Sequence, residues 1–139
     1  MTIHAVGAVE HFAAKLRFEL DPADLAALRG SGARPLVIDT RSLASWKQGR
    51  IAGAVHIPTD ELESRAAAEI PRDADVIVYC WGPGCNGSTK AALVLSRLGY
   101  SVRELIGGYE YWAREGLQLE GESGRSRHPI DDLTAPLAT

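Results

Sequence analysis

The chain is poor in cysteine, with two in 139 residues, at positions 80 and 85. Two so close together exclude the disulfide framework that staples small secreted domains. They also fall short of a zinc site, because His4, His11, His56 and His128 are scattered and none is paired near them. Positive charge is scarce as well: 15 Lys and Arg against 18 Asp and Glu give a net charge of -3, without a basic stripe. That balance argues against nucleic acid as a partner. No apolar run approaches the roughly 20 residues that a membrane helix needs. Met1-Thr2-Ile3-His4-Ala5 lacks the basic start and long apolar stretch of a signal peptide. The expectation is a cytoplasmic protein with no membrane and no nucleic-acid partner.

What is present is ordinary for a globular domain: 45% hydrophobic and 24% charged residues, in a length that suits one domain with its own core. Residues 8–19 suggest a helix with Phe12, Ala13 and Leu16 on one side. Asp21 reads as an N-cap and Pro22 as the first residue of a helix ending at Gly30-Ser31-Gly32. Leu36-Val37-Ile38-Asp39 is a short apolar strand, suited to burial on both faces of a parallel sheet. A short helix capped by Ser42 runs to Gln48, and Ala54 to Pro58 is a further strand. A helix from Thr59 or Asp60 to about Ile70 leads, through Pro71-Arg72-Asp73, into a strand over Asp75 to Tyr79. Ser88 to Leu98 is an amphipathic helix stopped at Gly99, Val102 to Ile106 a strand, and Tyr109 to Glu115 a helix ended by Gly116. From Glu122 the composition turns to Gly, Ser, Arg, His and Pro and reads as a mobile tail. Strands alternating with helices predict an α/β fold with a doubly wound parallel sheet.

Cys80 stands at the end of the apolar run Val76-Ile77-Val78-Tyr79, and a glycine-rich loop, Trp81-Gly82-Pro83-Gly84-Cys85-Asn86-Gly87, follows it directly. In doubly wound sheets ligands bind beyond the C-terminal ends of the strands, where Cys80 lies. A loop opening a helix aims backbone N–H groups and the positive end of the helix dipole at one point, which stabilises a thiolate. This is the chemistry of a nucleophilic cysteine that acts on, or carries, an anionic group.

Several segments together resemble the rhodanese-like (sulfurtransferase) family. They are Val37-Ile38-Asp39-Thr40-Arg41, Gly49-Arg50-Ile51-Ala52-Gly53-Ala54-Val55-His56-Ile57-Pro58, Tyr79-Cys80, and Leu105-Ile106-Gly107-Gly108 with Trp112. The resemblance implies one rhodanese-like domain over residues 21–121, between an N-terminal helical extension (1–20) and the tail (122–139). It implies about five parallel strands with helices on both faces, and a catalytic Cys80 that takes sulfane sulfur from a small donor such as thiosulfate, polysulfide or a persulfide. Cys80 would hold that sulfur as a persulfide and pass it to a thiol or cyanide-like acceptor, or exchange it with a protein persulfide. Trp81, Gly82, Pro83, Gly84, Cys85, Asn86, Gly87, Ser88 and Thr89 would form the substrate-binding loop, with no metal and no organic cofactor.

The chain departs from the family pattern in ways that leave alternatives open. No Arg or Lys stands late in the loop, and Lys90 falls in the helix; the loop is also about one residue longer than the commonest form. A longer loop suits a tetrahedral oxyanion, as in cysteine phosphatases and arsenate reductases, but those bind it with a loop arginine that is missing here. Cys85 is either a thiol that resolves a persulfide or sulfenic acid on Cys80, or a packing residue; with Cys80 it could equally serve a non-catalytic, redox-switch module. Asp39 is expected to organise the sheet edge by pairing with Arg41 or Arg50 or by capping a turn. The acidic partner that the family offers Arg41 is replaced by Ser45, before Trp46, so Arg41 is expected to be freer to meet an anion. Arg50 replaces a family histidine, and His56 reads as a satisfied core histidine. Trp81 walls a pocket or anchors the loop.

Overall fold

The computed structural model describes residues 3–137. Residues 1, 2, 138 and 139, including the start of the N-terminal stretch and the end of the C-terminal segment, lie outside the described residues. In chain order the elements are α1 (Ile3–Phe18), β1 (Glu19–Leu20), α2 (Pro22–Gly30), β2 (Leu36–Asp39), α3 (Leu43–Gln48), β3 (Arg50–Ile51) and β4 (Val55–His56). A 3-10 turn (Thr59–Glu61) leads into α4 (Leu62–Glu69). After it come β5 (Asp75–Tyr79), α5 (Gly87–Arg97), β6 (Ser101–Leu105), α6 (Gly108–Arg114), β7 (Leu119–Gly121) and β8 (Gly124–Ser126).

Five strands form one parallel sheet in the order β1-β6-β5-β2-β4. Alternate side chains of a strand face opposite sides, and the two halves of the core follow that rule. Ile38, Val76 and Val78 pack with Leu62 and Ala66 of α4 and Ala91 and Leu95 of α5. On the other face Val37, Ile77 and Tyr79 pack with Leu25 of α2 and Trp112 of α6. The crossover after β2 leads to β4 on one side of it, whereas the crossover after β5 leads to β6 on the other. The crevice between the C-terminal ends of β2 and β5 is therefore a topological switch point. Asp39 and Tyr79 are register partners there, and Cys80 is the next residue.

Local signals act as read. Asp21 makes a reciprocal capping box with Asp24, and the Ser42 hydroxyl accepts from the Ser45 N–H. Elsewhere the structure differs from the sequence reading. Phe12 and Leu16 of α1 are 60% and 84% exposed, and Ala13 is exposed with them. Beyond Glu122, β8 pairs antiparallel with β7, which pairs with β3 in a small second sheet. Further on, Asp131 accepts from Arg114 and donates its backbone N–H to the Arg114 carbonyl. Arg114 is the last residue of α6, so part of the segment read as a tail is held against the domain. No helix among the described residues is long and apolar enough to cross a membrane.

Candidate functional site

Strand β5 carries Cys80 to the sheet edge, and two contacts with α6 hold it there. The Tyr109 N–H donates to the Cys80 carbonyl at 3.0 Å, and the Glu110 N–H donates to the Trp81 carbonyl at 2.7 Å. This approach requires Gly108: a Cβ there would lie 2.5 Å from the Cys80 oxygen and 3.1 Å from the Gly82 nitrogen, and its φ of +58° is left-handed. Cys80 itself is 8% exposed.

The loop then reverses. The Cys85 N–H donates to the Gly82 carbonyl at 3.0 Å, closing a four-residue turn with Pro83 at its second position. None of the loop glycines has a positive φ, so they contribute room rather than unusual backbone. A Cβ on Gly82 would meet the Glu110 carboxylate at 2.5 Å, and one on Gly87 would lie 2.9 Å from the Cys80 sulfur. The reversal brings the Cys85 sulfur back onto Cys80 as a disulfide, with the Cα atoms 6.4 Å apart. The Gly87 N–H donates to the Cys85 sulfur at 3.4 Å. Asn86 precedes α5 without a side-chain cap, so the first N–H of the helix, that of Gly87, is met by the Cys85 sulfur instead.

Other residues of the loop are turned to structural partners. The Ser88 and Thr89 hydroxyls both donate to Glu104 Oε1 of β6, the former at 2.8 Å. Trp81 donates its indole N–H to the Ser45 hydroxyl at 3.2 Å and packs edge-on against Tyr109. Gly82, Pro83, Gly84, Cys85, Asn86, Ser88 and Thr89 border a cavity of about 330 Å³ on the outer side of the loop. A larger cavity of about 700 Å³ opens beyond β2 and β4, lined by Thr40, His56, Thr59 and Arg65. It contains no thiol, and Glu61 and Glu69 engage Arg65.

Arg41, expected to be free to meet an anion, is 4% exposed and fully engaged on one side. Its Nε donates to both oxygens of Asp39, and its Nη2 donates to Asp39 Oδ2 at 2.7 Å and to the Gly49 carbonyl at 2.6 Å. The guanidinium lies 4.4 Å from the Trp81 ring centre and 4.5 Å from that of Tyr109, so its electrostatic role is to bind the first loop residue and α6 to the sheet edge. Asp39, without exposed surface, also accepts from the Tyr79 hydroxyl at 2.7 Å, and that hydroxyl accepts from the Ile51 N–H. His56 is satisfied by the Arg41 carbonyl and stacks on Trp46 as expected, but it is half-buried at the 700 Å³ cavity rather than in the core. Arg50 lies over the Trp46 ring and donates to the Trp46 carbonyl. Sequence reading missed Glu104, Tyr79 and Tyr109; only Glu104, a lone carboxylate within Val102 to Leu105, left a visible signal.

Burial, reinforced by the Asp39 charge, pushes the Tyr79 phenol well above its ordinary 10.0. A raised folded-state pKa contributes stability that is complete below pH 10 and is lost as the pH climbs through and beyond it. Tyr79→Phe should be less stable at neutral pH by about 1–3 kcal/mol, since Asp39 and the Ile51 N–H each lose a buried partner. Denaturant unfolding on either side of pH 10 should show a shallower alkaline loss in Tyr79→Phe than in the parent.

Among the described residues no group of three or more His, Cys, Asp or Glu could hold a metal. The rhodanese-like domain family model matches residues 21–115. A protein named sulfurtransferase from Allochromatium vinosum is 35% identical over 107 residues, covering 76% of this chain and 97% of that one. Thiosulfate sulfurtransferase GlpE of Pseudomonas fluorescens is 36% identical over 110 residues, covering 78% and 94%. Among solved structures, the BH2092 protein of Bacillus halodurans superposes with a TM-score of 0.79 at 35% identity, over 97% of this chain and 93% of that one. With a cysteine at the end of β5, a glycine-bearing loop leading into α5, and these likenesses over most of its length, the chain belongs to the rhodanese-like domain family.

Proposed function

We propose that the protein is a cytoplasmic sulfurtransferase in which Cys80 takes sulfane sulfur from a small donor, holds it as a persulfide, and passes it to a thiophilic acceptor. The observation that carries this reading is the position of Cys80 at the switch point, with its sulfur beside Gly87 in the first turn of α5. A persulfide is anionic near neutral pH, and donors fixed in advance stabilise it without an organic cofactor. With thiosulfate as donor, the Cys80 thiolate attacks the outer sulfur, the S–S bond of thiosulfate breaks, and sulfite leaves with the electron pair. The relatives named sulfurtransferase and thiosulfate sulfurtransferase support that donor class.

The test is the donor half-reaction. Fully reduced protein mixed with thiosulfate should release sulfite in stoichiometric amount. No sulfite from thiosulfate, with no sulfur taken up from polysulfide or glutathione persulfide, overturns the reading. The Cys80–Cys85 bond favours a second reading, a thiol–disulfide switch without sulfur transfer, and that reading predicts this negative result. A phosphatase or arsenate reductase reading lacks support, since the loop has no arginine and Arg41 is committed to Asp39.

A further inference from the structure

We propose that Cys85 is a resolving thiol that discharges the Cys80 persulfide as hydrosulfide, making the site a persulfide reductase supplied with electrons by a dithiol. The proposal rests on the reading that Cys80 carries a persulfide. Four features of the loop converge on it. The Gly82–Cys85 turn returns the second sulfur to bonding contact with the first. The 6.4 Å between Cα atoms is a spacing that ordinary disulfides adopt. Gly87 leaves open the space where a side chain would sit 2.9 Å from one sulfur and 3.4 Å from the other. Its N–H donates to the Cys85 sulfur, placing a hydrogen-bond donor beside the attacking thiol. A cysteine that merely packs requires none of these.

The chemistry balances within the pair. The Cys85 sulfur attacks the inner sulfur of the Cys80 persulfide and forms the Cys80–Cys85 bond. The bond from Cys80 to the outer sulfur breaks, and that sulfur leaves with the electron pair, taking the Cys85 proton as hydrosulfide. Sulfane sulfur is reduced and two thiols are oxidised to the disulfide. An external dithiol then resets the site. Its first thiolate attacks Cys85, Cys80 leaves as thiolate, and its second thiol displaces Cys85 and closes the reductant's own disulfide.

The two sulfurs differ in access, which fixes the order of this reset. Cys80 is almost sealed, whereas Cys85 is half-buried and borders the 330 Å³ cavity. A reductant entering there meets Cys85 first, so the leaving group is Cys80. It emerges as the thiolate needed for the next donor, beside the first turn of α5.

A single turnover separates the possibilities. Protein reduced with dithiothreitol and freed of it is given thiosulfate, and sulfite, hydrosulfide and remaining thiols are measured, alongside Cys85→Ser. The parent should release sulfite and hydrosulfide in equal amounts and end as the disulfide. Cys85→Ser should still release sulfite, which also shows that it is folded, but no hydrosulfide, and should hold the sulfur until cyanide removes it. Equal retention of sulfur by the two proteins, with hydrosulfide from neither, overturns the resolving role while leaving the persulfide intact. Absence of sulfite from both overturns the underlying persulfide reading instead.

Discussion

Cys80→Ser is expected to lower sulfur transfer by on the order of 10³-fold or more, measured as sulfite released from thiosulfate. A serine hydroxyl is almost wholly protonated near neutral pH, and its oxygen cannot hold sulfane sulfur in a persulfide. Cys85 is the other thiol of the chain, but it stands five residues further on, past the turn, at the rim of the outer cavity. It cannot replace a sulfur held at the end of β5. The substitution changes little in shape. Stability should therefore shift by about 1 kcal/mol or less once both proteins are reduced. A matching melting curve with the donor reaction lost would assign the effect to chemistry; equal sulfite release would contradict the role given to Cys80.

Arg41→Ala should have the largest effect on folding, about 3–5 kcal/mol by denaturant unfolding. The cost arises from what is left behind. Asp39 is wholly buried and would lose the Nε and Nη2 donors, keeping only the Tyr79 hydroxyl and the residue-41 backbone N–H. The Gly49 carbonyl would lose its donor, and the Trp81 and Tyr109 rings would lose the cation beside them. Arg41→Lys should recover little, because an ammonium cannot reproduce the planar fork that meets both carboxylate oxygens. Replacing both partners, as in Asp39→Leu with Arg41→Met, should cost less than the sum of the single changes, since neither charge is then stranded. Additive losses would show that the pair is not coupled.

The parts of the fold legible in the sequence are those with strong local causes. Val37 to Asp39 and Val76 to Tyr79 are short runs whose side chains are buried on both sheet faces, and the caps at Asp21 and Ser42 are set by neighbours three residues away. Strands β1 and β3, of two residues each, and β7 and β8, of three, are too short to show a period, and only their partners define them. The pairing of Asp39 with Arg41 is among the alternatives the sequence offers. That the bend after β2 makes it a buried, forked contact, leaving Arg41 less free than the missing acid at Ser45 implies, depends on the folded backbone. The position of Cys80 between strand and loop is legible in the sequence. The meeting of Cys85 with it is not, because it depends on a turn closed by one backbone hydrogen bond and on the missing side chain of Gly87.

The most direct test of the account is the mass of the Cys80 fragment after reduced Cys85→Ser protein has met thiosulfate and the excess has been removed. The account predicts a gain of one sulfur atom on that fragment, discharged by cyanide as thiocyanate and missing when Cys80 is also replaced by serine. An unchanged fragment mass with thiosulfate, and again with polysulfide and glutathione persulfide, would contradict the assignment of Cys80 as the carrier of sulfane sulfur.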